Sequence, residues 1–284
     1  IRTPVTIAFG IRTGGPRKEC EVRYLAVDGT RDEKLAQLGK LDLLHAPATE
    51  IEGEKLDRLT PSAGTDYSSW PEITDLFPWI HSGSQIKRVW PIAPSKSTLS
   101  RRWTALLEVP PSQRRALLKE TRDRTTTSKV SALLKSAALK PLSSLSAGTE
   151  PEGIESYGYR SLDRQWLIAD ARVADYPRPP LWDVRGGHQT YLTTLTSTKL
   201  GAGPAVTATP YVPDLDHFRG SYGAKNVMPL YRDRRAKDPN VTNGLLEVIA
   251  EALGAEVEPE HLLAYVYGMT GSPAFTDRFT AELG

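Results

Sequence analysis

Chemistry on phosphates, metals or acyl groups needs particular side chains at particular spacings, and this sequence of 284 residues supplies few of them. No GxxxxGK[ST] run is present, and the GxG stretch Gly201-Ala202-Gly203 runs into Pro204, which spoils the helix start that a dinucleotide loop requires. His45, His81, His188, His217 and His261 show neither HExxH nor HxH spacing, so no zinc site is read. Asp214-Leu215-Asp216-His217 has the composition of a metal or acid-base pair, but an acidic loop following Pro213 accounts for it. Asp32-Glu33-Lys34 has the D-x-K spacing of some nucleases without the preceding Pro-Asp, and it reads as a charged helical turn. No catalytic residue and no metal ligand set is assigned.

The pattern that rises above this background is charge. The net charge of +2 conceals a segment, 86 to 140, with 13 Lys/Arg against 3 Asp/Glu. The last stretch, 236 to 284, has the opposite balance, 2 basic against 8 acidic residues. A solvated helix face normally mixes signs, and the basic segment does not. Phosphate oxygens are held by long cations beside hydroxyl and backbone donors. The loop Ser82-Gly83-Ser84-Gln85-Ile86-Lys87-Arg88, the run Ser100-Arg101-Arg102-Trp103 and the pair Arg114-Arg115 supply those groups. Lys87, Arg88, Arg101, Arg102, Arg114 and Arg115 are therefore expected to contact a nucleic-acid backbone.

A second region has the side chains that read base edges in the major groove. It comprises Arg160 and Arg164 within Tyr159 to Trp166, and Arg185, His188 and Gln189 around Gly186-Gly187. For Arg160 an ion pair with Asp163 is the competing reading, and Trp166 is expected to pack inward. The glycines beside Arg185 would let the backbone approach a groove closely.

These residues need elements to carry them. Composition, 39% hydrophobic and 25% charged, belongs to a globular chain of about two domains. No apolar run approaches the ~18 residues of a membrane span, no secretory signal opens the sequence, and the lone Cys20 cannot form an internal disulfide, so a cytoplasmic setting is expected. The start at Ile1 reads as a piece of a longer protein. Residues 5–11 and 19–27 read as two neighbouring strands, 31–44 as a short helix or turn, and 47–75 as a polar connector. Ser97 or Ser100 is expected to cap a helix holding Leu99, Trp103, Leu106 and Leu107 and ending at Pro110-Pro111. Two more helices are predicted over 112–125 and 130–142. Strands follow in RQWLIAD, QTYLTTLTST and PAVTATPYV, and two helices close the chain, the second from Pro259. The fold class is α+β, with mixed short strands and helices.

Tyr159-Arg160-Ser161-Leu162-Asp163-Arg164-Gln165-Trp166 resembles the Y-R-P-F-D-x-R-W signature of the C-terminal specificity region of Type ISP restriction-modification enzymes, with Ser161-Leu162 in place of Pro-Phe. Leu76-Phe77-Pro78 through Ile86-Lys87-Arg88 is similar to that family's F-P-x-x-S-x-G-x-K-T-x-R-D opening, lacking the Thr and the final Asp. Asn226 to Tyr231 resembles its F-P-L-Y segment, and Leu263 to Pro273 its D-Y-I-Y-A-x-L-H-S-P tail. Residues 5–38 resemble the closing strands of the preceding N6-adenine methyltransferase domain. The resemblance implies a terminal β-hairpin left over from an α/β methyltransferase fold in 1–50, a connector in 51–75 and a DNA target recognition domain in 76–284. It also implies upstream methyltransferase, motor and nuclease domains in the same polypeptide, using S-adenosylmethionine and ATP with Mg. With no NPPY and no glycine-rich cofactor loop, the chain itself is expected to hold no cofactor and to be non-catalytic alone. The alternative is a non-catalytic scaffold or protein-interaction domain of a phage-defence complex.

Overall fold

The computed structural model describes residues 7–12, 14–16, 21–51, 66–134, 137–195, 200, 203–218, 223–280 and 282–283. The chain divides into two compact units, Ile1–Thr65 and Asp66–Gly284.

In the first unit, strand β1 (Val22–Tyr24) pairs antiparallel with β2 (Thr49–Ile51), Val22 opposite Ile51. Between them lies helix α1 (Arg31–Gly39), started by a capping box in which Thr30 Oγ1 accepts from Glu33 N while Glu33 accepts from Thr30 N. No side chain of α1 is buried. This differs from the expected pairing of 5–11 with 19–27. Residues 7–12 form no strand, with Ile7, Phe9 and Ile11 all exposed, and the partner of β1 comes instead from the polar stretch read as connector. Val5 and Thr6 lie outside the described residues.

The second unit is a mixed α+β arrangement of small antiparallel sheets. After a short helix α2 (Ile73–Leu76), strand β3 (Ile92–Ala93) leads into α3 (Lys96–Glu108), which buries Leu99, Trp103, Leu106 and Leu107. Their i, i+4, i+7, i+8 spacing makes one apolar face. Ser95, rather than Ser97 or Ser100, is the N-cap and accepts from Thr98 N. Pro111 then opens α4 (Pro111–Leu118), which stops at Lys119 in the left-handed conformation. The helix expected over 130–142 does not form among the described residues of that range. There, β4 (Val130–Ser131) and β5 (Ala138–Leu139) form a hairpin, and the Glu152 carboxylate takes the N–H groups of Leu133 and Leu134 at 2.9 and 3.1 Å. A partner remote in sequence has claimed the donors that a helix would have used.

Strands β6 (Ile154–Arg160) and β7 (Asp163–Ile168) form a hairpin extended by β3 in the order β3-β7-β6. A five-residue helix α5 (Pro179–Asp183) follows. The second sheet has the order β10-β8-β9, built from β8 (Tyr191–Thr194), β9 (Val206–Thr209) and β10 (Asn226–Pro229). Isolated backbone bridges pair Gly158 of β6 with Pro213, just beyond β9, and Val227 of β10 with His81, ahead of β3. Helices α6 (Leu245–Leu253), α7 (Pro259–Thr270) and α8 (Pro273–Arg278) close the unit, α6 ending at Gly254 with φ 64°. No helix among the described residues is long and apolar enough to cross a membrane.

Candidate nucleic-acid interface

Along the basic segment, arginines are divided between folding and solvent. Arg114, on α4, is buried: its Nη1 donates to the carbonyls of Leu142 and Leu145 at 2.5 and 2.8 Å, and its Nη2 to Leu107 at 2.9 Å. Arg88 is buried as well, its Nη2 donating to Asp175 Oδ1 and Thr121 Oγ1, each at 3.1 Å. Arg124 donates to the Ala174 and Asp175 carbonyls at 2.8 and 2.7 Å. Arg102 is half-buried, and its Nη1 bridges the carbonyls of Trp90 and Ile92 at 2.8 Å each. The assignment of Arg88 and Arg114 to DNA phosphates is therefore corrected. Each guanidinium is desolvated on partners inside the protein, and Arg102 has one nitrogen so committed.

Among the described residues of this segment, Lys96, Arg101, Arg115, Lys119, Arg122, Lys129 and Lys140 are turned to solvent. On α3, Lys96 and Arg101 share the exposed face with Ser97, Ser100 and Thr104, opposite the buried leucines. This alternation of ammonium, guanidinium and hydroxyl groups is a donor surface for phosphate oxygens. Lys87 is exposed too, but its Nζ is paired with Asp123, which also accepts from Tyr176 Oη at 3.0 Å and Arg122 Nε at 3.3 Å. The Lys87 bond chiefly, with Tyr176 adding to it, holds the Asp123 carboxyl down to about 2. A depressed carboxyl adds stability above its ordinary value of 3.8, and that stability is lost as pH falls toward 2. Carboxyl NMR should accordingly find Asp123 titrating near 2, with Lys87→Gln moving it back toward 3.8. Titration at the ordinary value in the unaltered chain would break the pairing of Lys87 with Asp123.

Next to this face, on β7, lies a cation-aromatic cluster. Lys96 Nζ sits 4.3 Å from the Trp166 ring centre, and the Arg164 guanidinium lies 5.8 Å from Trp166 and 5.9 Å from Tyr211. Trp166 is only half-buried, so the inward packing expected of it is incomplete. Arg164 itself is exposed, and the rings beside it restrict its orientation, which favours a planar contact with a base edge or phosphate.

The neighbouring Arg160 is bound within the protein, and not by Asp163. Its Nη1 donates to Asp214 Oδ1 at 3.0 Å, its Nη2 lies 3.7 Å from Asp216, and its guanidinium covers Tyr159 at 4.0 Å. Buried Tyr157 donates to the other Asp214 oxygen at 2.7 Å. Burial raises the Asp214 carboxyl above its ordinary value, against the opposing pull of the Tyr157 hydrogen bond. The acidic Asp214-to-His217 turn thus proves to be the anchor of the β6–β7 hairpin.

Gln189 is also corrected. It is buried, with Nε2 donating to the carbonyls of Val184 and Tyr231 at 2.9 and 2.8 Å and Oε1 accepting from Tyr231 N at 3.0 Å, so it cannot reach a base edge. Arg185 is half-buried against the Trp182 carbonyl at 2.7 Å, and Gly186 accommodates the Arg234 carbonyl, which would lie 2.6 Å from an added Cβ. The close approach made possible by Gly186 is internal. His188 stays exposed. Arg101, Arg115, Arg164 and His188 thus remain accessible from the expected set, while Lys96 and Tyr211 join it through a contact that sequence spacing does not reveal.

A family model described as the Type ISP C-terminal specificity domain matches residues 75–284. No curated protein matches the chain. Among solved structures, the chain is similar to one titled as a cryoEM structure of the DrdV-DNA complex, at 15% identity and a TM-score of 0.54, covering 89% of this chain and 26% of that one. It is similar also to a nuclease-deletion mutant of the Type ISP restriction-modification enzyme LlaGI in complex with a DNA substrate mimic. That match has 16% identity and a TM-score of 0.52, covering 93% of this chain and 21% of that one. At these identities the likeness is one of fold. The chain spans about a quarter and a fifth of the lengths of these two relatives.

Proposed function

Because the chain belongs to the family of Type ISP C-terminal specificity domains, we propose that it is the sequence-specific double-stranded DNA recognition module of a restriction-modification enzyme. The observation that carries this reading is the exposed cationic face of α3 continuing into the Lys96-Trp166-Arg164-Tyr211 cluster. Phosphates would be held by Lys96, Arg101 and Arg115, and bases read from Arg164 and His188. The solved relatives titled as DNA complexes support the same partner. Residues up to Thr65 form a unit of their own, ahead of a family match that begins at 75, and we read them as the end of a preceding methyltransferase domain. Methyl transfer with S-adenosylmethionine, and ATP-driven movement with Mg, would belong to that upstream part of the polypeptide. Among the described residues no group of three or more His, Cys, Asp and Glu converges on a metal position, and no chemical step is assigned to this chain.

The test is the salt dependence of duplex binding. Neutralising about 5 phosphates gives log K against log salt a slope of roughly −4 to −5, and Arg101→Ala should flatten it by about one. A slope near zero would favour the scaffold reading instead.

A further inference from the structure

The β6–β7 hairpin turns through two residues, Ser161 and Leu162, because Arg160 stands opposite Asp163. Leu162 has a φ of 65°. The second central residue of such a turn is ordinarily Gly or Asn, since the Cβ of an L-residue crowds the backbone when φ is positive. Leucine is tolerated there when its side chain earns a packing contact. Leu162 has none, standing 104% exposed at the tip. Neither backbone preference nor the hydrophobic core accounts for a leucine at this place, and residues that break a local rule without internal compensation mark functional sites.

The mount beneath it is stiff. Ser161 N and Oγ both donate to the His217 carbonyl at 2.7 Å, and Arg160 is anchored on Asp214. Exposed Arg164 follows two residues after Leu162, beside Lys96 on Trp166. An apolar side chain is thus held rigidly outward next to cations that attract phosphates. In a duplex the apolar surfaces open to it are the faces of the stacked bases and the thymine methyl groups, and short apolar side chains reach the former by prising open a base step.

We propose that Leu162 is a wedge inserted at a base step of the bound duplex. The proposal rests on the DNA reading above. Binding removes the leucine from water, and the kink it produces brings the flanking phosphates toward Lys96 and Arg101. Glycine at 162 removes the side chain and the backbone strain together, so it separates a wedge from a folding residue. With the full chain and a duplex enriched from a random pool on the unaltered protein, Leu162→Gly should raise Tm by about 2–4 °C. The same variant should weaken binding roughly tenfold. A 2-aminopurine scanned along that duplex should brighten at one step with the unaltered chain and with Leu162→Phe, and stay quenched with Leu162→Gly. A lower Tm in Leu162→Gly would make the leucine a folding residue and overturn the wedge. Unchanged affinity, or loss of affinity with no bright step in the unaltered complex, would overturn it too while leaving DNA recognition intact. Failure of the unaltered chain to retain any duplex would overturn both readings.

Discussion

Arg114→Ala should destabilise the second unit by about 3–5 kcal/mol, whereas Arg115→Ala, one residue on, should stay within about 0.5 kcal/mol. The two side chains are separated by one helical step, which carries one into the interior and leaves the other in water. Arg114 donates to no carboxylate; its hydrogen-bond partners are the carbonyls of Leu107, Val109, Leu142 and Leu145. Leu107 belongs to the last turn of α3 and Val109 is its C-cap, where carbonyls have no helical partner and the helix dipole favours a cation. Truncation would orphan these buried acceptors and open a void among Leu107, Leu118 and Leu142. Arg115, by contrast, lies 3.9 Å from Glu120 with its side chain 74% exposed, an arrangement of little energetic consequence. Urea unfolding of the two variants provides the measurement. Equal midpoints would mean that the Arg114 guanidinium does not support the end of α3.

Elements governed by local pattern were legible in the sequence. The four apolar residues of α3 repeat at helical spacing, Pro110-Pro111 stops that helix, Gly254 ends α6 and Pro259 starts α7. The segment 130–142 misled because its composition favours a helix while Glu152, about twenty residues on, captures the Leu133 and Leu134 amides. The strand partner of β1 was equally out of reach, since it lies beyond α1 in a polar stretch with no apolar alternation to mark it.

For the candidate interface, sequence located the charge but not its use. Counting cations cannot distinguish Arg101, which faces water, from Arg88, which meets Asp175 across 87 residues of chain. The same limit applies to Gln189, whose partners at Tyr231 lie 42 residues away. Asp214 shows the reverse: its acidic turn looked like a plain loop, yet it receives both Tyr157 and Arg160. Pairings of this kind depend on which strands meet, and only the folded chain specifies that.

Of the five side chains expected to read base edges, Arg164 and His188 are exposed while Arg185 is half-buried, and the difference is measurable. Arg164→Ala should cost about 1–3 kcal/mol on the selected duplex, about five- to a hundred-and-fiftyfold in affinity, and much less on a scrambled one. Its guanidinium is exposed and flanked by the Trp166 and Tyr211 rings, so little ordering remains to be done when a base edge arrives. Arg185→Ala should leave the ratio of selected to scrambled affinity unchanged. That guanidinium is engaged by the Trp182 carbonyl at 2.7 Å and lies 3.9 Å from Glu155. Burial, reinforced by the nearby Arg234, already lowers its pKa, the mark of a cation drawn partly out of water. Removing it would loosen the end of α5 rather than a contact with DNA. Competition titrations of each variant against both duplexes decide the matter. If Arg164→Ala weakens the two duplexes equally, Arg164 holds a phosphate and carries no sequence information. If Arg185→Ala collapses the ratio, the glycine-flanked loop opens to reach the groove and the reading surface extends to β8.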